Sequence, residues 1–163
     1  IPVYPRLYLW NDPAADIVRT ARAVNASMPD FAVDLLAQAH GDLAGQRVVV
    51  LGAAYRGGVK ETAFSGVFAT VGALRTRGAE VTVDDPMYTD EELTALGFTP
   101  HSAGAEVDAA ILQTDHAEYR ALTPADLPGV RTFVDGRNVT DADAWAGVTR
   151  RVIGLRQDAE ATR

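Results

Sequence analysis

Residues 48–60 constrain the fold more than any other stretch of the chain, and they read VVVLGAAYRGGVK. Four apolar residues, three of them β-branched, end at Gly52, which is the pattern of a strand buried on both faces. A loop with three glycines follows, and apolar residues then recur at helical spacing from Phe64 to Leu74. Strand, glycine-rich loop and helix predict the first unit of a nucleotide-binding α/β sheet, in which backbone N–H groups and a helix N-terminus can face an anion.

The rest of the chain continues this alternation. Apolar runs predict further strands at 80–83, 109–113, 130–134 and 152–155, and helices are predicted at 62–77, 89–96 and 123–126. The predicted fold is therefore α/β, a Rossmann-like three-layer domain with a mostly parallel sheet, preceded by a long helical segment. Ligands of such sheets bind at the carboxyl ends of the strands, which here are followed by loops 52–62, 84–89, 114–118 and 135–139.

The N-terminal segment has a different pattern. Residues 1–10 are apolar and aromatic with two prolines, which predicts an extended segment packed onto another surface, and Asp12-Pro13 is typical of a helix start. Apolar residues then recur at alternating spacings of four and three: Ile17, Ala21, Val24, Met28, Phe31 and Leu35. This stripe is either the face of a helix that packs on its own core or a helix that pairs with a second subunit.

Helix-breaking residues indicate where this helical segment bends and ends. Pro29 predicts a kink or a break into two helices, and His40-Gly41 predicts the helix end. We expect residues 1–41 to be the end of a helical domain, residues 42–156 to form the α/β domain, and residues 157–163 to be a disordered tail.

Composition limits the partners. The formal net charge of −7 argues against a general nucleic-acid or membrane-surface binder, so an anionic ligand needs a local basic site. The absence of cysteine excludes disulfides, thiolate metal sites and a cysteine nucleophile within this chain, and it fits a reducing, cytoplasmic compartment. No apolar run approaches the roughly 18 residues of a membrane helix, and the three histidines lack metal-ligand spacing, so neither a membrane nor a metal is expected.

Three cations lie in the predicted ligand loops. Residues 52–60 match neither the dinucleotide fingerprint nor the Walker A motif, but their glycines accompany Arg56 and Lys60, the only lysine of the chain. These two cations either grip a diphosphate or are merely solvated. Arg137 follows another buried strand and points to the same carboxyl edge of the sheet as Arg56. The alternative to a ligand-binding role for Arg137 is an ion pair within the loop, with Asp135 or Asp141.

Two further polar groups are placed at the same edge. Asp84-Asp85 follows the second strand, where a Rossmann fold keeps its ribose-binding acid, but the distance from Gly52 favours a turn role. His116 follows the third strand without an evident nucleophile beside it, which favours a structural role.

Six short motifs, in this order and spacing, resemble the UDP-glucose/GDP-mannose dehydrogenase family over roughly residues 1 to 155. They are IPVYP at 1–5, AR at 21–22 with Asn25 and Met28-Pro29, LGAAYR at 51–56, GA at 78–79 leading to Asp85-Pro86, ILQT at 111–114 with His116, and DGRN at 135–138. The resemblance implies part of an NAD-dependent enzyme that oxidises a nucleotide-sugar alcohol to the uronic acid, a reaction of polysaccharide biosynthesis.

The family chain has an N-terminal NAD-binding domain, a helical middle that dimerises and a C-terminal UDP-binding domain. The resemblance implies that this sequence is the end of the middle plus the C-terminal domain. NAD would be bound by the missing N-terminal domain, and the family's nucleophilic cysteine would immediately precede Ile1. We therefore expect this chain alone to be inactive.

The resemblance also assigns residues. Tyr55 and Arg56 fall where the family has an aromatic residue and a lysine that contact the nucleotide sugar, and Arg137 matches the substrate-holding arginine of the Asp-Gly-Arg motif. Lys60 is a further candidate without a secure counterpart. Tyr4 replaces an aspartate near the cysteine, and Ala63-Phe64 replaces an arginine and a glutamate, so neither position supports the family's role.

The leading hypothesis is thus a UDP-sugar-binding domain, with UDP-glucose or UDP-N-acetylmannosamine as substrate and a homodimer formed through the helix around Ile17–Leu35. The alternative is a non-catalytic α/β module for dimerisation or regulation. A receiver-like acidic pocket around Asp84 and Asp85 is disfavoured, because a lysine and a third acid are not suitably placed.

Overall fold

A computed structural model describes residues 3–155. The helices and strands are α1 (Val3–Asn11), α2 (Asp16–His40), β1 (Arg47–Leu51), α3 (Val67–Thr76), β2 (Glu80–Asp84), α4 (Asp90–Ala95), β3 (Ala109–Leu112), β4 (Thr132–Asp135) and β5 (Thr149–Val152). Three short 3₁₀ helices cover Ala117–Ala121, Pro124–Asp126 and Asp143–Trp145.

The five strands form one sheet in the order β2-β1-β3-β4-β5, and every described pairing is parallel. Because side chains alternate along a strand, β1 supplies both sides of the sheet. Val48 and Val50 belong to a core shared with α2 and α3, whereas Val49 and Leu51 belong to a second core with Phe133 and Trp145, below the 3₁₀ segments. The Rossmann-like α/β prediction is confirmed, and the sheet is wholly parallel.

One helix, α2, connects the N-terminal segment to this domain. Its C-terminal half is buried at Pro29, Ala32, Val33, Leu35 and Leu36 and packs on α3 and the sheet. At its end the His40 imidazole Nδ1 lies 2.9 Å from the Thr132 hydroxyl, where β4 begins. The helix therefore runs antiparallel to the strands, and its N-terminal half extends past their carboxyl ends.

Two expectations about α2 need correction. The helix is continuous through Pro29, so the break into two helices is wrong; the buried proline ring packs near Gly66 instead. The stripe does not pack on this chain's own core at Ile17, Val24 and Phe31, which are exposed, and only Leu35 of that stripe is buried. The helix end at His40-Gly41 is confirmed.

The first residues are also helical rather than extended. Pro5 lies in the first turn of α1, where backbone N–H groups have no helical partner, so the proline costs no hydrogen bond. The helix start predicted at Asp12-Pro13 is wrong by three residues, because α2 begins at Asp16; the Asp12 carboxylate instead accepts the Ala14 N–H at 3.1 Å and shapes the turn between α1 and α2.

Other observed boundaries differ from the predicted ones. Helix α3 begins after Gly66 rather than at Thr62, and Phe64 has a φ of 62° in the turn before it. The last strand covers Thr149–Val152 instead of 152–155; it is an edge strand with partly exposed arginines, so it has no apolar run to reveal it. The helix predicted at 89–96 is confirmed as α4, and its capping box at Thr89, with Glu92 as the reciprocal partner, matches the spacing of a threonine and a glutamate three residues apart.

The predicted disordered tail, 157–163, lies outside the described residues, and the boundary at residues 41 and 42 stays a prediction. Within residues 3–155, no helix is long and apolar enough to cross a membrane.

Candidate functional site

A cleft of about 680 Å³ opens at the carboxyl edge of the sheet. One wall consists of the end of β3 and the loops after β1, β3 and β4, including Tyr55, Arg56, Gln113 and Arg137. The other wall consists of α1 and the projecting half of α2. This is the position at which parallel α/β sheets bind ligands, so the geometry agrees with the predicted location.

Asp85 holds the loop after β1 in place. Its buried carboxylate accepts the N–H groups of Ala53 and Ala54 at 2.8 and 3.2 Å through Oδ2, and that of Met87 at 2.9 Å through Oδ1. The Met87 contact confirms the expected turn role. The contacts to Ala53 and Ala54 add a second role, because they fix the backbone just before Tyr55 and Arg56.

His116 supports the same loop from the third strand. Its buried Nε2 lies 3.1 Å from Asp85 Oδ2, and the Gly58 N–H donates to Nδ1 over a long 3.4 Å. Since Nδ1 accepts, the ring proton is on Nε2 and is donated to Asp85. The histidine thus links three loops, which is the expected structural role.

Asp115 joins the loop after β1 to Arg137. Its Oδ1 accepts the Gly57 N–H at 3.0 Å and the Arg137 Nη2 at 3.0 Å. Burial raises the pKa of Asp115, but the hydrogen bonds from Gly57 and Arg137 outweigh it and hold the pKa below its usual value. A Cβ on Gly57 would lie 2.2 Å from the Asp115 carbonyl oxygen, so only glycine permits this approach. Arg137 does form an ion pair, as one alternative expected, but the expected partners Asp135 and Asp141 are wrong, because the guanidinium pairs with Asp115.

Asp135 shapes the turn that carries Arg137. This buried carboxylate accepts the backbone N–H groups of Arg137, Val139 and Thr140 and pairs with Arg150 at 3.0 Å. Burial raises the pKa of Asp135, yet the hydrogen bonds from Thr140 and Arg137 and the charge of Arg150 hold it below its usual value. The turn is therefore rigid, and the Arg137 side chain extends from a fixed backbone.

Of the four residues predicted to form the site, the cleft brings three together: Tyr55, Arg56 and Arg137. The fourth, Lys60, does not line it. Its ammonium pairs with Glu92 at 2.6 Å and lies 5.1 Å from the Tyr88 ring centre, and its hydrogen bond is the main cause that lowers the pKa of Glu92. Lys60 thus joins the loop after β1 to α4 instead of facing the cleft.

Sequence reasoning did not assign Arg6, Arg22, Asn25 and Gln113 to the site, although all four line the cleft. Arg22, Asn25 and Gln113 lie in the motifs that carry the family resemblance, which was the available signal; Arg6 had none. Gln113 is fixed by the Thr70 hydroxyl, which donates to its Oε1 at 2.8 Å. Among residues 3–155, no group of His, Asp or Glu side chains is arranged to hold a metal ion.

Comparison with known proteins agrees with this geometry. Residues 49–142, more than half of the chain, match the model of the UDP-glucose/GDP-mannose dehydrogenase family, UDP binding domain. A UDP-glucose 6-dehydrogenase of Haloferax volcanii is 33% identical over 76% of this chain and 30% of its own length. One from Rhizobium meliloti is 30% identical over 83% of this chain and 33% of its own length.

Solved structures show the same fold. A UDP-D-ManNAc dehydrogenase from Pyrococcus horikoshii superimposes with a TM-score of 0.73 at 27% identity, covering 94% of this chain and 37% of that one. A UDP-glucose dehydrogenase from Pyrobaculum islandicum gives a TM-score of 0.74 at 26% identity, covering 91% and 36% of the two chains.

The chain spans about a third of the length of these relatives. The matched part includes the loops that place Tyr55, Arg56 and Arg137 in the cleft. The chain belongs to the UDP-glucose/GDP-mannose dehydrogenase family, and residues 49–142 are its UDP-binding domain.

Proposed function

We propose that this chain is the UDP-sugar-binding part of an NAD-dependent UDP-sugar 6-dehydrogenase, with the diphosphate held by Arg56 and Arg137. The observation that carries the proposal is the convergence of these two arginines, from the ends of β1 and β4, on one cleft in a chain of net charge −7.

The two arginines differ in how free their charge is. Arg137 shares its guanidinium with Asp115, whereas Arg56 has no ion-pair partner among residues 3–155. A guanidinium binds phosphate oxygens through paired, planar hydrogen bonds. Tyr55 lies beside Arg56 in the cleft wall and supplies an aromatic surface against which the ligand packs.

Calorimetric titration of the chain with UDP tests the assignment. Each charge-assisted hydrogen bond contributes about 1.5–3 kcal/mol. Arg56→Ala and Arg137→Ala should therefore each weaken UDP binding by roughly ten- to a hundredfold. Arg75→Ala is the matched control, because this exposed arginine lies in the last turn of α3, at the opposite edge of the sheet. Equal UDP affinity in all three variants and the wild type would refute the assignment.

The whole reaction needs groups that this chain does not hold. We propose UDP-glucose or UDP-N-acetylmannosamine as substrate, NAD as oxidant bound by another part of the enzyme, and no turnover by this chain alone, since its sequence has no cysteine to serve as the family's nucleophile. An assay of NADH formation with each UDP-sugar checks this. Turnover above background by the purified chain would contradict it.

A homodimer through the helix around Ile17–Leu35 is a second part of the proposal. Ile17, Val24 and Phe31 are 86%, 58% and 49% exposed, which is a large apolar surface for one helix. We expect sedimentation velocity to show a dimer that Val24→Glu dissociates. A monomer at high concentration would remove both this interface and the alternative function as a dimerisation module, while leaving UDP binding untouched.

A further inference from the structure

The face of α2 that packs on the domain continues past the edge of the sheet with polar residues. Arg22, Asn25, Pro29 and Ala32 follow one another at three- or four-residue spacing, so they share one face of the helix. Pro29 and Ala32 are buried, and Arg22 and Asn25 line the cleft. The buried face of the helix thus becomes a wall of the cleft.

The position of Arg22 along the helix places it above the strand ends. The Pro29 ring lies 3.4 Å from the point where a Cβ on Gly66 would be, so Pro29 is level with the start of α3. Arg22 is seven residues further towards the N-terminus, roughly 10 Å along the helix axis. Arg22 therefore lines the cleft from its helical side, while Arg56 and Arg137 line it from the strand edge.

The charge of Arg22 is oriented but not neutralised. Its Nη1 donates to the Asn25 side-chain oxygen at 2.8 Å, and this acceptor is a neutral amide. Within residues 3–155, no carboxylate pairs with Arg22. In a chain with an acidic balance, an arginine fixed by an amide and left without a counter-charge is suited to an anionic ligand.

The strand edge alone supplies less charge than a diphosphate carries. Arg137 is shared with Asp115. Arg6 does not belong to the strand edge: it lies on α1, in the other wall of the cleft, and stacks on Phe64 with its Cζ 4.3 Å from the ring centre. A diphosphate diester carries two negative charges. Arg56 can neutralise one of them, but Arg137, whose charge is partly neutralised by Asp115, cannot fully neutralise the other. The described lining of the cleft includes no Asp or Glu that would oppose a third contact.

We propose that Arg22, positioned by Asn25, is a third cation of the diphosphate site, contributed by the helical segment and not by the strand edge. The inference rests on the proposed function, because it takes the diphosphate of a UDP group as the occupant. It implies that the α/β domain without α2 holds an incomplete site.

Titration of the full chain with UDP and with uridine tests this inference. Arg22→Met keeps most of the side-chain volume and removes the charge, and it should weaken UDP binding about tenfold or more while leaving uridine affinity unchanged. Arg19→Met is the matched control on the same helix: Arg19 pairs with Asp16 outside the cleft, so its variant should bind UDP like the wild type.

The variant Asn25→Asp tests whether residue 25 acts by positioning the Arg22 guanidinium or only by packing. A carboxylate at this place would pair with Arg22 and compensate its charge, so UDP affinity should fall as in Arg22→Met, and its dependence on salt should become weaker. Thermal unfolding of each variant monitors the fold.

The outcomes distinguish the two proposals. If Arg56→Ala and Arg137→Ala lose UDP affinity but Arg22→Met does not, the inference is wrong and the proposed function stands. If Arg22→Met loses uridine and UDP affinity equally, a structural role explains the effect and the inference is also wrong. If the wild-type chain binds no UDP at all, both proposals are wrong.

Discussion

Removal of the Asp85 carboxylate should destabilise the protein and loosen the loop that carries Arg56. In Asp85→Ala, the buried N–H groups of Ala53 and Ala54 and the His116 Nε2–H lose their acceptor. Each unsatisfied buried donor costs about 1–3 kcal/mol, and water that enters the vacated space offsets part of the sum. We therefore expect a loss of about 3–5 kcal/mol in the free energy of unfolding, as for other broken buried pairs.

Urea titration followed by circular dichroism measures this loss through the shift of the midpoint at constant slope. Asp85→Asn is the matched control. When the asparagine places its amide oxygen at the Oδ2 position, that oxygen still accepts hydrogen bonds from the Ala53 and Ala54 N–H groups and from His116 Nε2–H. Only the Met87 N–H, which is more exposed, then faces the NH₂ group and loses its acceptor. The asparagine variant should lose less than half as much as the alanine variant. A loss below about 1 kcal/mol in Asp85→Ala would refute the reasoning that this carboxylate holds the loop.

Three further predictions concern single positions. Gly72→Ala should raise the free energy of unfolding by about 0.5–1 kcal/mol, because this exposed residue of α3 has open space at its Cβ position; a loss in a denaturant titration would contradict that. Gly57→Ala should lower stability by about 1–3 kcal/mol and weaken UDP binding in calorimetry, since its Cβ meets Asp115, and wild-type behaviour would argue against the close approach. The Arg47 hydrogen bond is the main cause that lowers the pKa of Asp108 from 3.8 to about 2. Its folded pKa is thus below its unfolded one, so this stabilisation is present above about pH 4 and lost as the pH falls towards 2; unfolding midpoints across this range should show a flatter acid dependence in Asp108→Asn.

The sheet could be predicted because its strands are buried on both faces. The β-branched apolar run at 48–51 is typical of a central parallel strand, and the structure gives β1 as Arg47–Leu51. The edge strand β5 lacks such a run, since its arginines reach solvent or pair with Asp135, and its position was misjudged. Strand prediction from apolar runs thus works for β1 to β4, including the edge strand β2, and fails at β5, the edge strand without such a run.

The candidate site was only partly predictable for a similar reason. Arg56 and Arg137 follow strand ends, and topology brings strand ends together whatever the loops do. The orientation of the Lys60 side chain depends on its ion-pair partner. This partner, Glu92, is 32 residues away in the chain, so the local sequence does not indicate it. The helical wall depends on how far α2 extends beyond the strands, which no local pattern specifies.

The continuity of α2 has a mechanical consequence. One helix carries both the exposed apolar residues Ile17, Val24 and Phe31 and the cleft residue Arg22, while its other half is embedded in the core. Where the helix leaves the core, Pro29 cannot donate to the Asn25 carbonyl, so the helix is less stiff at that point. Any surface that covers the apolar stripe therefore also limits the bending of this segment, and the width of the cleft becomes linked to whether the stripe is occupied.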